Sequence, residues 1–334
     1  LKIECDTYEY FPRMTDDNHN DSDNHHMTGT DRAGSPAKDQ SSRCGYIAIV
    51  GRPNVGKSTL LNHILGMKLS ITSRKPQTTR HQILGVKTAG NVQAIYVDTP
   101  GIHQRSGTAI NKYMNRAATS VLNDVDLIIF VVQVNKWTEE DQAIVDKFKT
   151  VDCPVVLVVN KMDKLPSKKQ LLPAMQELST KYDFTEIIPV SALNGVNVDV
   201  LEEKLAPLVP ENEHFYPDDQ VTDRSMRFLA SEIIREKLIR ELGQELPYTT
   251  AVDIDKYVEE PDIIHIHATI YVESTGQKAI IIGKKGARLK SIGSKAREDI
   301  SKMADSKVYL NLWVKVREGW SNDERALAGL GYSE

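Results

Sequence analysis

Gly51-Arg52-Pro53-Asn54-Val55-Gly56-Lys57-Ser58 follows an apolar run at 46–50 and opens a helical stretch at 57–65. The pattern G-x-x-x-x-G-K-[ST] between a strand and a helix is a phosphate-binding loop. Its glycines let backbone N–H groups turn toward a phosphate, and the helix N-terminus adds partial positive charge. Gly51, Asn54, Val55, Gly56, Lys57, Ser58 and Thr59 then surround the phosphates. Lys57 reaches the β- and γ-phosphates as a catalytic group, and Ser58 ligates Mg2+. A chance Gly-rich turn is the competing reading, and the strand–loop–helix context with its Lys-Ser ending leaves it little weight. The loop alone specifies a nucleoside triphosphate without naming the base.

Working outward, Asp98-Thr99-Pro100-Gly101 ends a strand at 94–97. An acid at the carboxyl end of such a strand sits where open α/β sheets bind ligands, so Asp98 reads as the Mg2+-side carboxylate. Gly101 is placed to offer its N–H to the γ-phosphate and to act as a hinge. Asn160-Lys161-Met162-Asp163 and Ser191-Ala192 each follow a strand of their own. A carboxylate at Asp163 accepts from the N1–H and exocyclic amine of guanine. Adenine would leave it buried and unpaired, a penalty of about 1–3 kcal/mol or more. The Ala192 N–H is the expected partner of guanine O6. Asn-Lys-x-Asp by itself is equally a helix start; four such elements in this order make GTP and GDP the nucleotides.

The surrounding pattern is that of an α/β domain. Strands are expected at 46–50, 83–87, 94–97, 126–132, 155–159 and 187–190, with helices at 57–65, 108–123, 139–150, 167–181 and 198–208. Strands separated by helices form a mostly parallel sheet, here six-stranded. The strand at 83 has no helix before its neighbour and should run antiparallel. The boundaries read as a tail at 1–43, a nucleotide domain at 44–209, a linker at 210–220 and a second domain at 221–334. The tail holds nine acids, five bases and three histidines (His19, His25, His26) with few aliphatics, so flexibility is expected. It has no apolar signal core, and its acids argue against a transit peptide. The chain has 334 residues, 40% apolar and 26% charged, with net charge −4, so no whole-chain basic field advertises nucleic acid. Its longest unbroken apolar run is at 127–132, too short for a membrane helix. Cys5, Cys44 and Cys153 are widely spaced and form no C-x-x-C pair, which favours a reducing compartment over a disulfide framework or zinc site.

After the linker the order changes to a helix at 222–242, strands at 249–257 and 263–272, a short strand at 279–282, a helix at 287–303 and a strand at 307–316. That α-β-β-α-β outline is a smaller α+β domain. Gly283-Lys284-Lys285-Gly286 between the short strand and the helix matches the G-x-x-G loop of a KH domain, helix first, as in the type II arrangement. Residues 274–297 carry seven bases and no acid, although the chain from 218 onward nets −2. With Gly283, Lys284, Lys285, Gly286, Arg288 and Lys290 gathered at one loop, single-stranded RNA is the expected ligand. A tight turn in a solvated face is the bland alternative.

Residues 45–205 resemble a small GTPase of the translation-factor-related class, and with the C-terminal half the resemblance to the Era family covers about 45–333. The segment 68–85, Lys-Leu-Ser-Ile-Thr-Ser-Arg-Lys-Pro-Gln-Thr-Thr-Arg-His-Gln-Ile-Leu-Gly, resembles its first switch, whose threonine ligates Mg2+; Thr79 is favoured over Thr78. The water-orienting Gln of Ras-like proteins is replaced here by Ile102, which implies slow intrinsic turnover. Asn54 resembles the residue that helps hold K+ in related GTPases. The family further implies binding to the 3′ end of small-subunit (16S) ribosomal RNA and a cytoplasmic, monomeric protein of small ribosomal subunit assembly, with peripheral contact at the inner membrane face a weaker expectation. The rival is a constitutive RNA-binding module with a structural nucleotide site.

Overall fold

The structure is a computed structural model that describes residues 41–73, 78–101, 109–242 and 249–330. The readings of the tail through residue 40, of Cys5 and of Ile102 lie outside the described residues. In the first domain, β1 (Arg43–Val50), β2 (Ile83–Ala89), β3 (Val92–Asp98), β4 (Leu127–Gln133), β5 (Val155–Asn160) and β6 (Glu186–Pro189) form one sheet. Its order is β2-β3-β1-β4-β5-β6. All pairings are parallel except β2 with β3, as the missing helix between them requires. The runs in β1, β4 and β5 are buried on both faces, which is why they read as continuous apolar sequence.

Five helices cover the sheet: α1 (Lys57–Leu65), α2 (Ala109–Ser120), α3 (Glu139–Phe148), α4 (Leu171–Ser179) and α5 (Val198–Leu205). One core layer joins Ile47, Ile49, Leu60, Leu61, Val158 and Leu201; the opposite layer joins Val50, Phe130, Ile144 and Phe148. The strand order reverses beside β1, so the loop after it opens into the crevice at the carboxyl ends of the strands. Thr138 starts α3 with a reciprocal cap, its side chain accepting from Asp141 N.

The segment joining the domains lies against the β2–β3 edge. The amide of Gln93, fully buried, accepts from Phe215 N at 2.9 Å and Tyr216 N at 3.0 Å and donates to Tyr216 O at 2.8 Å. Beyond it stand α6 (Met226–Glu241), β7 (Thr250–Glu260), β8 (Ile263–Val272), α7 (Thr275–Ile282), α8 (Ala287–Ala304), β9 (Lys307–Val316) and α9 (Glu324–Gly329). The sheet runs β7-β8-β9, antiparallel then parallel. Ile234, Ile281, Ile292, Ile300 and Leu312 share one core, so α6, α7 and α8 cover one face of this sheet.

One expected element differs. Residues 279–282 are not a strand but the second half of α7. An Ala-Ile-Ile-Ile run has high β propensity, but Ser274 caps a helix by accepting from Gln277 N at 3.3 Å. Helical spacing buries Ile281 and leaves Ile280 43% exposed. The domain is therefore α-β-β-α-α-β, and the G-x-x-G loop joins two helices rather than a strand and a helix.

Candidate functional site: a nucleotide cleft coupled to a basic loop

The phosphate loop turns through left-handed backbone at Asn54 (φ 63°) and Gly56 (φ 109°). A Cβ on Gly56 would stand 2.2 Å from Asn160 Nδ2, and one on Gly51 would stand 2.4 Å from Val131 O. Both glycines are therefore required by packing as well as by conformation. An open cleft lies above the loop, lined by Asn54, Lys57, Ser58, Thr72, Thr79 and Gly101 among others. A Cβ on Gly101 would meet Pro53 at 2.8 Å, so the loop after β3 rests on the phosphate loop. Thr59 lines the same cleft.

Three hydroxyls converge on one carboxylate oxygen. Ser70 Oγ donates to Asp98 Oδ2 at 2.7 Å, Ser58 Oγ at 2.8 Å, and Thr79 Oγ1 stands 3.4 Å away. Ser58 and Thr79 are themselves 2.8 Å apart. The other oxygen, Asp98 Oδ1, is buried with no partner among the described residues. A buried anionic oxygen beside two hydroxyls is a donor set suited to a hard divalent cation. Lys57 Nζ donates to the carbonyls of Gly51 at 2.9 Å and Arg52 at 3.2 Å. Burial pushes its ammonium down to about 8 against the attraction of Asp98, and burial likewise pushes the Asp98 carboxyl up. Thr78 turns the other way, its carbonyl accepting from Arg235 at 2.5 Å.

The base-side elements are knitted to the loop. Asn160 Nδ2 donates to Val55 O at 2.8 Å, and Asn160 Oδ1 accepts from Lys161 N at 2.7 Å and Ala192 N at 3.0 Å. Lys161, left-handed at φ 65°, reaches across to Asn54 O and to Gln133 Oε1 at 3.2 Å. Ser191 Oγ donates to Asp163 Oδ1 at 2.6 Å, orienting that carboxylate. The backbone N–H of Ala192 is thus engaged by Asn160, not left free.

The second site is the loop at 283–286. Gly283 (φ 72°) is needed because a Cβ there would lie 2.8 Å from Arg288 Cβ, and Lys285 is itself left-handed at φ 52°. Arg288 donates to Ile280 O at 2.7 Å, closing the end of α7. Lys284, Lys285 and Lys290 are exposed, as is Ile280 at the end of α7.

Residues to which the sequence motifs assign no role connect the two sites. Glu236 on α6 is fully buried and takes Lys68, Lys237 and Arg240 as ion partners, with Thr72 N donating to it at 3.2 Å. Asp299 on α8 pairs with Lys68 at 2.7 Å and with Lys237. Arg235 pairs with Glu232 at 2.6 Å, and Arg80 donates to Thr250 O at 2.8 Å. Ile110 of α2 packs with Ala251, Trp320 and Leu327. The cross-domain partners are invisible to pattern reading, because Lys68, Thr72 and Arg80 find their mates Glu236, Asp299 and Thr250 more than a hundred residues away.

Family models match each half: a 50S ribosome-binding GTPase over residues 46–161 and a KH domain over 245–321. GTPase Era of Pseudomonas aeruginosa is 59% identical over 88% of this chain and 96% of that protein. GTPase Era of Ectopseudomonas mendocina is 60% identical over 87% of this chain and 97% of that protein. A crystal structure of Era with MgGDPNP and nucleotides 1506–1542 of 16S ribosomal RNA superposes with TM-score 0.85 at 40% identity, covering 88% of this chain and all of that one. Aquifex aeolicus Era bound to GDP·AlF4− superposes with TM-score 0.83 at 39% identity over 87% of this chain and all of that one.

Proposed function

Because the chain belongs to the Era family of GTPases, we propose that it is a GTP-driven switch whose KH domain binds single-stranded RNA at the 3′ end of 16S ribosomal RNA during small-subunit assembly. The relative whose structure holds MgGDPNP together with a 16S fragment supports both ligands. The carrying observation is the buried polar bridge from the loop bearing Thr72, Thr78 and Thr79 to α6 and α8.

At the nucleotide, Asp163 reads guanine, with Lys161 and Asn160 fixing the loop beneath it. Lys57 neutralises the β- and γ-phosphates. Ser58, Thr79 and Asp98 would hold Mg2+, which supplies further neutralisation of the charge that develops on the transferred phosphoryl group. Asn54 is the residue placed to help bind K+. Gly101 offers its backbone N–H toward the γ-phosphate, and movement of Thr79 and Gly101 toward that phosphate changes what Thr72 and Thr78 present to α6. Ile102 has no hydrogen-bonding side chain to orient water, so turnover without an activator is slow. At the RNA, Lys284 and Lys285 face the backbone across the glycines, and Lys290 extends the basic face. We place the protein in the cytoplasm as a monomer; no helix of the described residues is long and apolar enough to cross a membrane.

The test is the affinity of the full chain for a labelled oligonucleotide of the 16S 3′ end, measured with GDP and with a non-hydrolysable GTP analogue. The switch requires a difference of about tenfold, within the usual range of coupling energies. Equal affinities would leave the constitutive RNA-binding module standing instead.

A further inference from the structure

β9 alternates strictly between two faces. Val308, Leu310, Leu312 and Val314 enter the core, so Lys307, Tyr309, Asn311, Trp313 and Lys315 stand in one row on the opposite face. α6, α7, α8 and the G-x-x-G loop pack on the core side, which places this row on the far side of the sheet from the loop, where Trp320 and α9 cover only the end at Ala251 and Tyr271. The row is about 26 Å long at the ordinary strand rise of about 3.3 Å per residue. Its ends are exposed lysines and its middle is half-buried aromatic surface.

The neighbouring strand widens that surface. His265 lies opposite Tyr309 and His267 opposite Asn311. The His267 ring is 5.3 Å from Trp313 and 6.4 Å from Tyr309, and His265 is 5.4 Å from Tyr309. Between the rings, Asn311 Nδ2 donates to the Tyr309 hydroxyl at 3.2 Å, while Asn311 Oδ1 is buried without a partner among the described residues. One acceptor under the rings is thus left unsatisfied, an arrangement that ordinarily has a ligand or water to explain it. β9 itself carries no acid; the acids of this face, Asp253, Asp255 and Glu260, sit on β7, where Asp255 accepts from Thr269 at 2.6 Å and Glu260 stands 3.7 Å from His265 Nε2.

We propose that this outer row is a second single-stranded RNA site, in which bases stack on Tyr309, Trp313 and His267 while Lys307 and Lys315 take the flanking phosphates. Cation, ring, amide, ring and cation at every second residue match the two requirements of such a platform, π-faces for bases and charge for the backbone. The acids on β7 keep the phosphate path on the β9 side. Strands longer than the few nucleotides a G-x-x-G loop clamps would then run from the loop around the domain onto the sheet. The inference rests on the reading of this domain as an RNA binder.

The test measures binding of fluorescein-labelled oligouridines of five and twenty nucleotides to the full chain. A surface variant, Lys307→Gln with Lys315→Gln, should weaken the twentymer about tenfold and reduce its salt slope by about 1.4. It should leave the pentamer unchanged. Trp313→Ala should weaken the twentymer by about tenfold as well. A twentymer containing 4-thiouridine should crosslink to the peptide bearing Tyr309 and Trp313. Lys284→Glu with Lys285→Glu should weaken both oligomers. The proposal is overturned if the β9 variants leave the twentymer's affinity and salt slope unchanged, or if crosslinks fall only at 283–290 or only on protein partners. Unchanged binding of both oligomers by the loop variant would count instead against RNA recognition at the loop.

Discussion

Asp98 accepts hydroxyl protons on one oxygen and leaves the other bare, so any residue fixing its orientation also fixes the cation's seat. Ser70 is one such residue: it is fully buried and its backbone N–H is held by Asn62 Oδ1 at 2.8 Å. Ser70→Ala should lower Mg2+ affinity about tenfold, as loss of an outer-shell partner does. Magnesium titration of nucleotide retention measures this, and an unchanged titration would show that Ser70 does not orient Asp98. Ser58 and Asp98 were legible because they belong to patterns with fixed spacing. Ser70 was not, since a serine in a loop has no signature until the loop's path is known. Lys57 carries a pH prediction. Its free-state value of about 8 must rise when it faces phosphate, so binding takes up a proton above that pH. Affinity for GDP should therefore be flat below about pH 8 and fall by up to tenfold per unit above it. Guanosine, which lacks the phosphates, should show no such fall from this residue. Asp163→Asn should move preference from guanine toward xanthine nucleotides, read by competition binding; retained guanine preference would remove Asp163 from base recognition.

At the scale of elements, the strands of the first sheet were legible because burial on both faces leaves unbroken apolar runs, and β2 was legible as antiparallel because no crossover helix precedes β3. α7 was not. Three consecutive isoleucines satisfy strand propensity, and only packing decides that one faces the core while its neighbour faces solvent. The correction leaves the start of α8 where the sequence puts it, so the partial positive charge of its N-terminus still lies beside Lys284 and Lys285. Reversing the loop's side-chain charge with Lys284→Glu and Lys285→Glu should weaken RNA binding at least tenfold and leave intrinsic GTP hydrolysis within twofold. Filter binding and phosphate release read the two effects separately. Loss of hydrolysis alone would mean that the loop serves the nucleotide domain and not RNA.

Across the whole molecule, the net charge of −4 conceals a division of labour: acids on α6 and α8 face the first domain, while the lysines of the G-x-x-G loop face outward. Glu236 is the centre of that interface, buried among Lys68, Lys237 and Arg240 and bonded to the backbone of Thr72. Removing its charge leaves Lys68 and Lys237 to Asp299 alone and Arg240 to Thr72, so Glu236→Gln should lower stability by about 1–3 kcal/mol. Its larger consequence follows from linkage. If bound nucleotide changes RNA affinity by some factor, bound RNA must change the ratio of GTP to GDP affinity by that same factor. An oligonucleotide of the 16S 3′ end should therefore shift the GTP-to-GDP preference of the wild-type chain by the factor found for RNA binding in the two nucleotide states. In Glu236→Gln both factors should shrink together toward one, while the affinity for GDP without RNA stays within about threefold of wild type. Two equal factors that survive the substitution would mean that coupling does not run through Glu236 but through the α2 contact at Ile110 and Trp320.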